Sequence, residues 1–364
     1  MAGAKDFIFK ERITTYINQE LSEVEKKYGK DSRHYQALAL QYIKSPLENV
    51  LGENERMRHY ESEMHLMFEG KELKGVERLY ERTILIEPSS VCAAHCRWCL
   101  RGQYPVFSLR EEDIINFAMY CGSAEVKNEL KEILITGGDP FMVPQRLKLI
   151  IEQIKQYAPN IEIIRIGTRV PIQDPDRVND ELLDIFESAK PLKVEIATHI
   201  NHPVELTAKA REAYKKLYNV VFKIYDQTVL LKGVNDDYET LNELYDQFRY
   251  LGIEAHYLFH CIPMRGMNHH RTSVEKGLKL IRQMTSSGGF SGRAKPLFTL
   301  MTDLGKITMF EGAIVDRNKN NELLIQTNYK IGTFKKRNPS WKLPTTAMED
   351  ENGYLRVWYP NVED

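Results

Sequence analysis

Long apolar runs are missing from this 364-residue chain: none approaches the ~20 residues that a membrane-spanning helix needs. Its opening residues, Met1-Ala2-Gly3-Ala4-Lys5-Asp6-Phe7, lack the apolar core of a secretory signal. An excess of either charge is missing too, since fifty Lys and Arg face fifty-one Asp and Glu for a formal net of −1. That balance leaves no electrostatic footprint for nucleic acid or an anionic membrane. The expectation is a soluble, cytoplasmic protein that binds neither.

Cysteine is scarce. The five present stand at positions 92, 96, 99, 121 and 261, and three of them fall within eight residues. A disulfide framework spreads an even number across a short secreted chain. A tight cluster in a long chain points instead to metal or redox chemistry.

From about Phe9 to Leu73 the pattern is helical and heavily charged, which predicts an N-terminal helical extension ended near Gly70 to Gly75. From Arg82 the rhythm changes. Strands are expected at Thr83–Ile86, Glu132–Thr136, Glu162–Gly167, Lys193–Thr198, Val220–Tyr225 and Glu254–Phe259. Helices are expected at Glu111–Tyr120, Pro144–Tyr157, Asp180–Ala189, Pro203–Leu217, Tyr238–Tyr250 and Ser273–Met284. Six βα units imply a parallel sheet with right-handed crossovers, in an α/β fold built as a partial (β/α)6 TIM-like barrel. Leu297–Met301 and Ile307–Phe310 read as further strands, and Asp316–Asn321 as the turn of a hairpin. The chain thus divides into a helical extension over residues 1–80, the barrel over 81–295, and a small β-rich extension over 296–364. Trp341, Trp358 and Tyr359 predict that this last part docks.

The cysteine cluster reads Cys92-Ala-Ala-His-Cys96-Arg-Trp-Cys99, directly after the first barrel strand. Three thiolates on one tight loop suit three corners of a 4Fe–4S cluster and leave the fourth iron without a protein ligand. A small molecule with an amine and a carboxylate can chelate that iron. Structural zinc is the competing reading, but it wants four closed ligands, usually as two separated pairs. No second pair exists, and His95 lies inside the same short loop.

In barrels of this type the chemistry gathers at the C-terminal ends of the strands. The later strands end in Gly137-Gly138-Asp139-Pro140, Gly167-Thr168-Arg169, Thr198-His199-Ile200-Asn201-His202-Pro203, Asp226-Gln227 and His260-Cys261. Gly137 and Gly138 would let the backbone approach a cofactor, and Asp139 would accept from its ammonium.

The three-cysteine motif resembles the signature of the radical S-adenosylmethionine superfamily. The resemblance narrows to the lysine 2,3-aminomutase family through Arg165-Ile-Gly-Thr-Arg169-Val-Pro171, Thr198 to Pro203, Gln227 to Asp236 and Gly266-Met-Asn-His-His-Arg271-Thr272. It implies a 4Fe–4S cluster on Cys92, Cys96 and Cys99, reduced by a donor such as flavodoxin or ferredoxin. It also implies S-adenosyl-L-methionine, cleaved to a 5′-deoxyadenosyl radical that takes a substrate hydrogen. By the same resemblance His199 and Gln227 contact that cofactor, and the strand-end residues Gly137, Gly138, Asp139 and Arg169 are expected to bind it beside them. Arg101, two residues after the last cysteine, holds a substrate α-carboxylate in its planar fork. Family members carry pyridoxal 5′-phosphate on a lysine after a glycine-rich loop, and the matching segment here is Thr302-Asp-Leu-Gly305-Lys306.

The departures matter as much. That loop is two residues short and has one glycine. The two aspartates that read the distal ammonium of lysine are replaced by Ile262 and Met301, with Asp303 two residues away. A cation in an apolar pocket is costly, so lysine is not the expected substrate. The family's C-terminal zinc cysteines are absent, since none follows Cys261. The expected activity is a radical isomerase of amino-acid metabolism, aminomutase-like, acting on an amino acid or similar small carboxylate, in a protein that can be homo-oligomeric. The alternatives are a pyridoxal-independent epimerase, dehydrogenase or lyase on the same scaffold, and a non-catalytic iron–sulfur protein.

Overall fold

The computed structural model describes residues 10–50, 66–78, 80–103, 107–286, 288, 292 and 294–364. Two helices open it, α1 (Thr15–Tyr28) and α2 (Arg33–Tyr42), each begun by a hydroxyl cap, Thr14 on the Ile17 amide and Ser32 on that of Tyr35. A 3-10 turn over Pro46–Asn49 follows, closed by a Ser45/Glu48 capping box. Residues 1–9 and 51–65 of the expected helical extension lie outside the described residues. Its last part is not helical. Met67–Phe68 (β1) pairs with Lys71–Glu72 (β2) as a short hairpin, and Val76–Glu77 (β3) follows. The reason is local: Glu69 and Gly70 both take positive φ, 50° and 75°, the pairing that a two-residue primed turn demands.

The main body alternates strand and helix: β4 (Thr83–Ile86), α3 (Glu111–Gly122), β5 (Glu132–Ile135), α4 (Pro144–Tyr157), β6 (Ile163–Thr168), the short α5 (Val170–Gln173), α6 (Asp180–Ser188) and β7 (Lys193–Thr198). It continues with α7 (Ala208–Val220), β8 (Lys223–Leu230), α8 (Tyr238–Tyr250), β9 (Ile253–His260), α9 (Val274–Ser286), β10 (Leu297–Thr302) and β11 (Gly305–Thr308). Among the described residues these strands form one nine-stranded sheet in strictly sequential order from β3 to β11. Strands β4 to β10 are parallel, with antiparallel β3 and β11 at the edges. A doubly wound sheet reverses its order at a switch point. This one never does, so it curls as a half-barrel, and Leu297–Thr302 extends the six expected parallel strands by a seventh.

The period-two alternation of a strand decides what faces where. Ile133, Ile135, Ile164 and Ile166 point out and pack with Leu147, Ile150, Ile151 and Ile154 of α4 in the main core. Their neighbours Leu134, Thr136, Arg165 and Gly167 point in and line a cavity. Strand β8 departs from the expected bounds: α7 runs on through Val220, and the strand starts at Lys223 and ends at Leu230. The Asp226-Gln227 pair looks like a strand end but is a register irregularity inside the strand. Asp226 is tolerated there, fully buried, because the Ile200 amide donates to it at 2.8 Å. Helix α7 likewise begins at Ala208 rather than Pro203, where Thr207 caps it.

The C-terminal part forms a second sheet, with β12 (Ile314–Arg317), β13 (Glu322–Gln326), β14 (Ala347–Glu349) and β15 (Leu355–Pro360) in the order β12-β13-β15-β14, and α10 (Ile331–Arg337) beside it. It docks through Tyr359, whose hydroxyl meets His260 Nδ1 at 2.8 Å, while Trp341 stacks on Phe334 of α10 within the same part, ring centroids 4.4 Å apart. No helix among the described residues is long and apolar enough to cross a membrane.

Candidate active site

The concave face of the half-barrel holds a cavity of about 620 Å³ at the C-terminal ends of the strands. Cys92, Cys96 and Cys99 all line it, whereas Cys121 and Cys261 are buried elsewhere. The loop that carries the three is held from two sides. On the outside, the His95 and Arg97 amides donate to the Arg12 and Gln41 carbonyls at 2.8 and 2.9 Å. Buried Arg97 also grips Glu48 of the 3-10 turn, its Nε donating to Oε1 at 2.8 Å and its Nη2 to Oε2.

On the inside, the Gly138 and Asp139 amides donate to the Ser89 and Val91 carbonyls at 2.7 and 2.8 Å. A Cβ on Gly138 would stand 2.3 Å from the Val91 oxygen. The expected role of these glycines therefore changes. Although both line the cavity, their bareness serves first to let the end of β5 lie against the cysteine loop.

Asp139 is corrected in the same way. Its carboxylate accepts from the Thr168 hydroxyl at 2.8 and 3.0 Å and from the Arg169, Phe141 and Val170 amides at 2.7, 3.1 and 3.2 Å. Both oxygens are committed, so it ties β5 to β6 instead of awaiting an ammonium. Arg169 is committed too, and one of its partners is Cys96: Nη1 donates to Sγ at 2.8 Å. Gln173 Nε2 reaches the same sulfur at 3.3 Å.

Burial, reinforced by the Cys99 sulfur, pushes the Cys92 thiol up. A metal centre that displaces its proton would reverse this. Among the described residues no three Cys, His, Asp or Glu side chains converge on a single ion. The zinc reading with His95 as fourth ligand loses ground further because His95 is not among the residues that line the cavity the three cysteines share. Three thiols lining one cavity without meeting at a point suit a body larger than one ion.

His199 and Gln227 both line the cavity, and the His199 ring stacks over Trp98 with centroids 5.9 Å apart. Burial, with the Arg169 and Lys306 cations, drives the His199 pKa down to about 3, so it is neutral. Lys306 projects inward from β11 with Nζ 5.4 and 5.5 Å from the ring centres of Tyr257 and Phe259. The tight turn at Asp303 and Leu304 holds it there through a Gly305 φ of 100°.

Arg101 reaches the cavity but not as an open fork. Glu87 pairs with it directly, and Glu77 lies 3.8 Å away. Two carboxylates already share its Nη1, a correction to a bare carboxylate anchor. Ile262 and Met301 line the cavity as expected, while Asp303 does not: it accepts from the Thr346 hydroxyl at 2.6 Å.

Sequence reasoning missed one feature of the cavity. Arg165 contacts Glu132 and Glu195 on the flanking strands, the latter at 3.5 Å. The signal was available, since Arg165 shares the inward face with Gly167 and Arg169.

Comparison with known proteins agrees with this geometry. The model of the radical SAM superfamily matches residues 86–244. A "Putative L-lysine 2,3-aminomutase" of Aquifex aeolicus is 34% identical over 68% of this chain and 67% of its own length. A glutamate 2,3-aminomutase of Clostridioides difficile is 31% identical over 63% of this chain and 54% of its own. The crystal structure of a radical SAM methyltransferase from Sphaerobacter thermophilus superposes with a TM-score of 0.47 at 17% identity, over 62% of this chain and 68% of that one. Sequence kinship, the three-cysteine loop and the half-barrel converge: the chain belongs to the lysine 2,3-aminomutase-like family of radical S-adenosylmethionine enzymes.

Proposed function

We propose that the protein is a radical isomerase that moves the amino group of an amino acid between C2 and C3, and that its substrate is not lysine. The observation that carries this reading is that the Lys306 ammonium and the three cysteines open into one cavity. When bound, the cluster and S-adenosylmethionine supply an adenosyl radical to take the hydrogen, and pyridoxal phosphate supplies the electron sink.

The residues then divide the work. Cys92, Cys96 and Cys99 hold the cluster. Neutral His199 and Gln227 face S-adenosylmethionine as hydrogen-bonding groups that add no charge. Lys306 is the lysine for pyridoxal phosphate, and Arg82, which lines the same cavity, is a cation suited to its phosphate. Tyr257, Phe259 and Trp98 exclude water from the reacting groups. Arg101 orients the substrate carboxylate, with Glu87 and Glu77 tempering its charge. Ile262 and Met301 offer a lysine ammonium no partner, which favours a neutral side chain.

The turn before Lys306 favours a second reading, a pyridoxal-independent epimerase, dehydrogenase or lyase. Borohydride treatment with pyridoxal phosphate separates the two. Irreversible labelling of wild type that disappears in Lys306→Ala supports the aminomutase, and an unlabelled wild type overturns it. Release of 5′-deoxyadenosine from the reduced protein with S-adenosylmethionine tests the shared radical step. Lysine outcompeting leucine for the site would overturn the substrate assignment.

A further inference from the structure

The N-terminal helices pack on the barrel next to the cysteine loop, and one contact chain runs from them to a cluster sulfur. Arg169 lies buried at the end of β6 with every arm engaged. Its Nη1 donates to Cys96 Sγ at 2.8 Å and its Nε to the His199 carbonyl at 2.9 Å. Its Nη2 donates to Glu205 Oε1 at 2.6 Å and to Gln41 Oε1 at 3.0 Å. The guanidinium also lies between two rings, 5.0 Å from Trp98 and 5.4 Å from Tyr42.

Gln41 and Tyr42 belong to α2, outside the barrel. Gln41 is fully buried. Its Oε1 also accepts from Asn201 Nδ2 at 2.8 Å, its Nε2 donates to the Ala37 carbonyl at 3.1 Å, and its own carbonyl accepts the Arg97 amide at 2.9 Å. One side chain and its peptide thus join α2, the cysteine loop and the arginine that touches Cys96. A buried amide with all its groups satisfied fixes geometry more than it adds stability.

We infer that α2, through Gln41 and Tyr42, sets the reduction potential of the cluster by holding the Arg169 guanidinium on the Cys96 sulfur. The inference rests on the reading that Cys96 ligates a 4Fe–4S cluster. Its physics is elementary: one electron from an external low-potential donor makes the cluster more negative. A cation and an N–H donor at a ligand sulfur stabilise that state and raise the potential. Gln173, at the end of α5, adds a weaker neutral donor to the same sulfur. Glu205, paired with Nη2 at 2.6 Å and fixed by the Asn201 and His202 amides at 2.7 and 2.9 Å, offsets much of the net charge, so the directed Nη1–H donor is the main effect on the sulfur. Gln41 and Tyr42 are positioning residues: each confines the guanidinium that meets the sulfur.

The test is a redox titration of the full-length, cluster-loaded protein followed by electron paramagnetic resonance. Gln41→Leu removes the acceptor and keeps the volume, so the guanidinium loses its outer anchor. The expected result is a lower midpoint, with the reduced-to-oxidised ratio at fixed poise falling about tenfold, equivalent to ~59 mV for one electron. Gln173→Leu shifts it the same way by less. Arg169→Lys, which keeps the cation but cannot span Cys96, Glu205 and Gln41 together, also lowers it.

A Gln41→Leu midpoint that superimposes on wild type would overturn the inference, whatever Gln173→Leu does. If Gln41→Leu does not fold, Gln41→Asn, which keeps the amide but is too short to reach Arg169, decides in its place by the same criterion. A wild type that binds no cluster would instead overturn the ligand assignment, a different failure seen before any titration.

Discussion

Removing the Glu48 carboxylate should loosen the cysteine loop without touching a cysteine. Glu48 and Arg97 are 1% and 2% exposed and meet as a two-pronged pair, with Nε to Oε1 at 2.8 Å. In Glu48→Leu the guanidinium keeps its contact to the Lys10 carbonyl at 3.3 Å but loses its counter-charge. Breaking a buried pair from one side costs about 3–5 kcal/mol. At roughly 2 °C per kcal/mol for a chain of this size, the melting temperature should fall by about 8 °C. The cost is that of a stranded charge, so Glu48→Leu combined with Arg97→Met should recover most of it. Calorimetry of the two singles and the double closes the cycle. A Glu48→Leu protein that melts within about 1 °C of wild type, or a double variant as unstable as the single, would refute the reasoning.

Gly138→Ala drives a methyl group to 2.3 Å from the Val91 oxygen, so β5 and the cysteine loop must part. About 3 kcal/mol of destabilisation and a large loss of bound iron are expected. Normal iron content in that variant would contradict the close approach. Cys96→Ser should lose the cluster's iron and sulfide, whereas Cys121→Ser, buried in α3, should retain both; equal loss from the two would discredit the assignment. Acid should weaken the fold through histidines held neutral. Burial lowers His260 to about 3 and His202 to about 4. Both lie below the unfolded value of ~6.5, so the unfolded chain takes protons first. Their stability is whole above that pH and is lost progressively below it, by roughly 2 kcal/mol each at pH 5. Thermal melts between pH 7.5 and 5 should show this slope, and His260→Gln should remove about 2 kcal/mol of it, the rest coming from His202 and from His199, His256 and His270, which burial lowers in the same way. An unchanged slope would mean His260 does not contribute.

How much could be read in advance depended on the distance over which the signal acts. Strand β7 and helices α4 and α8 were legible residue for residue because alternation, an N1 proline and the Asp237 cap are local. The cysteine loop was legible for the same reason. Strand β8 was misjudged because a polar pair inside a fully covered strand looks like its end until the Ile200 amide is known to satisfy Asp226. The β1–β2 hairpin escaped because its strands are only two residues long and one of them, Lys71–Glu72, is wholly charged.

In the site, the positions facing the cavity followed from strand periodicity. Their partners did not: Glu87 on Arg101, Thr168 on Asp139 and Gln41 on Arg169 join segments 14, 29 and 128 residues apart. No local pattern encodes such pairings. They exist only once the sheet has curled.

The edges of that sheet carry a further consequence, for the order in which the enzyme is made. The Lys306 amide faces the Tyr80 hydroxyl at 3.5 Å, and its carbonyl accepts from the Tyr329 hydroxyl at 2.9 Å. One tyrosine precedes the barrel and the other belongs to the C-terminal part. Further on, Tyr359 and the Pro360 carbonyl secure His260 and Arg271. On the ribosome, chain emerges from its N-terminus and folds as it comes. The thiol loop therefore emerges before the residues that brace Lys306 and β9, so the C-terminal sheet is a prop for the lysine that is set in place only after the half-barrel strands exist.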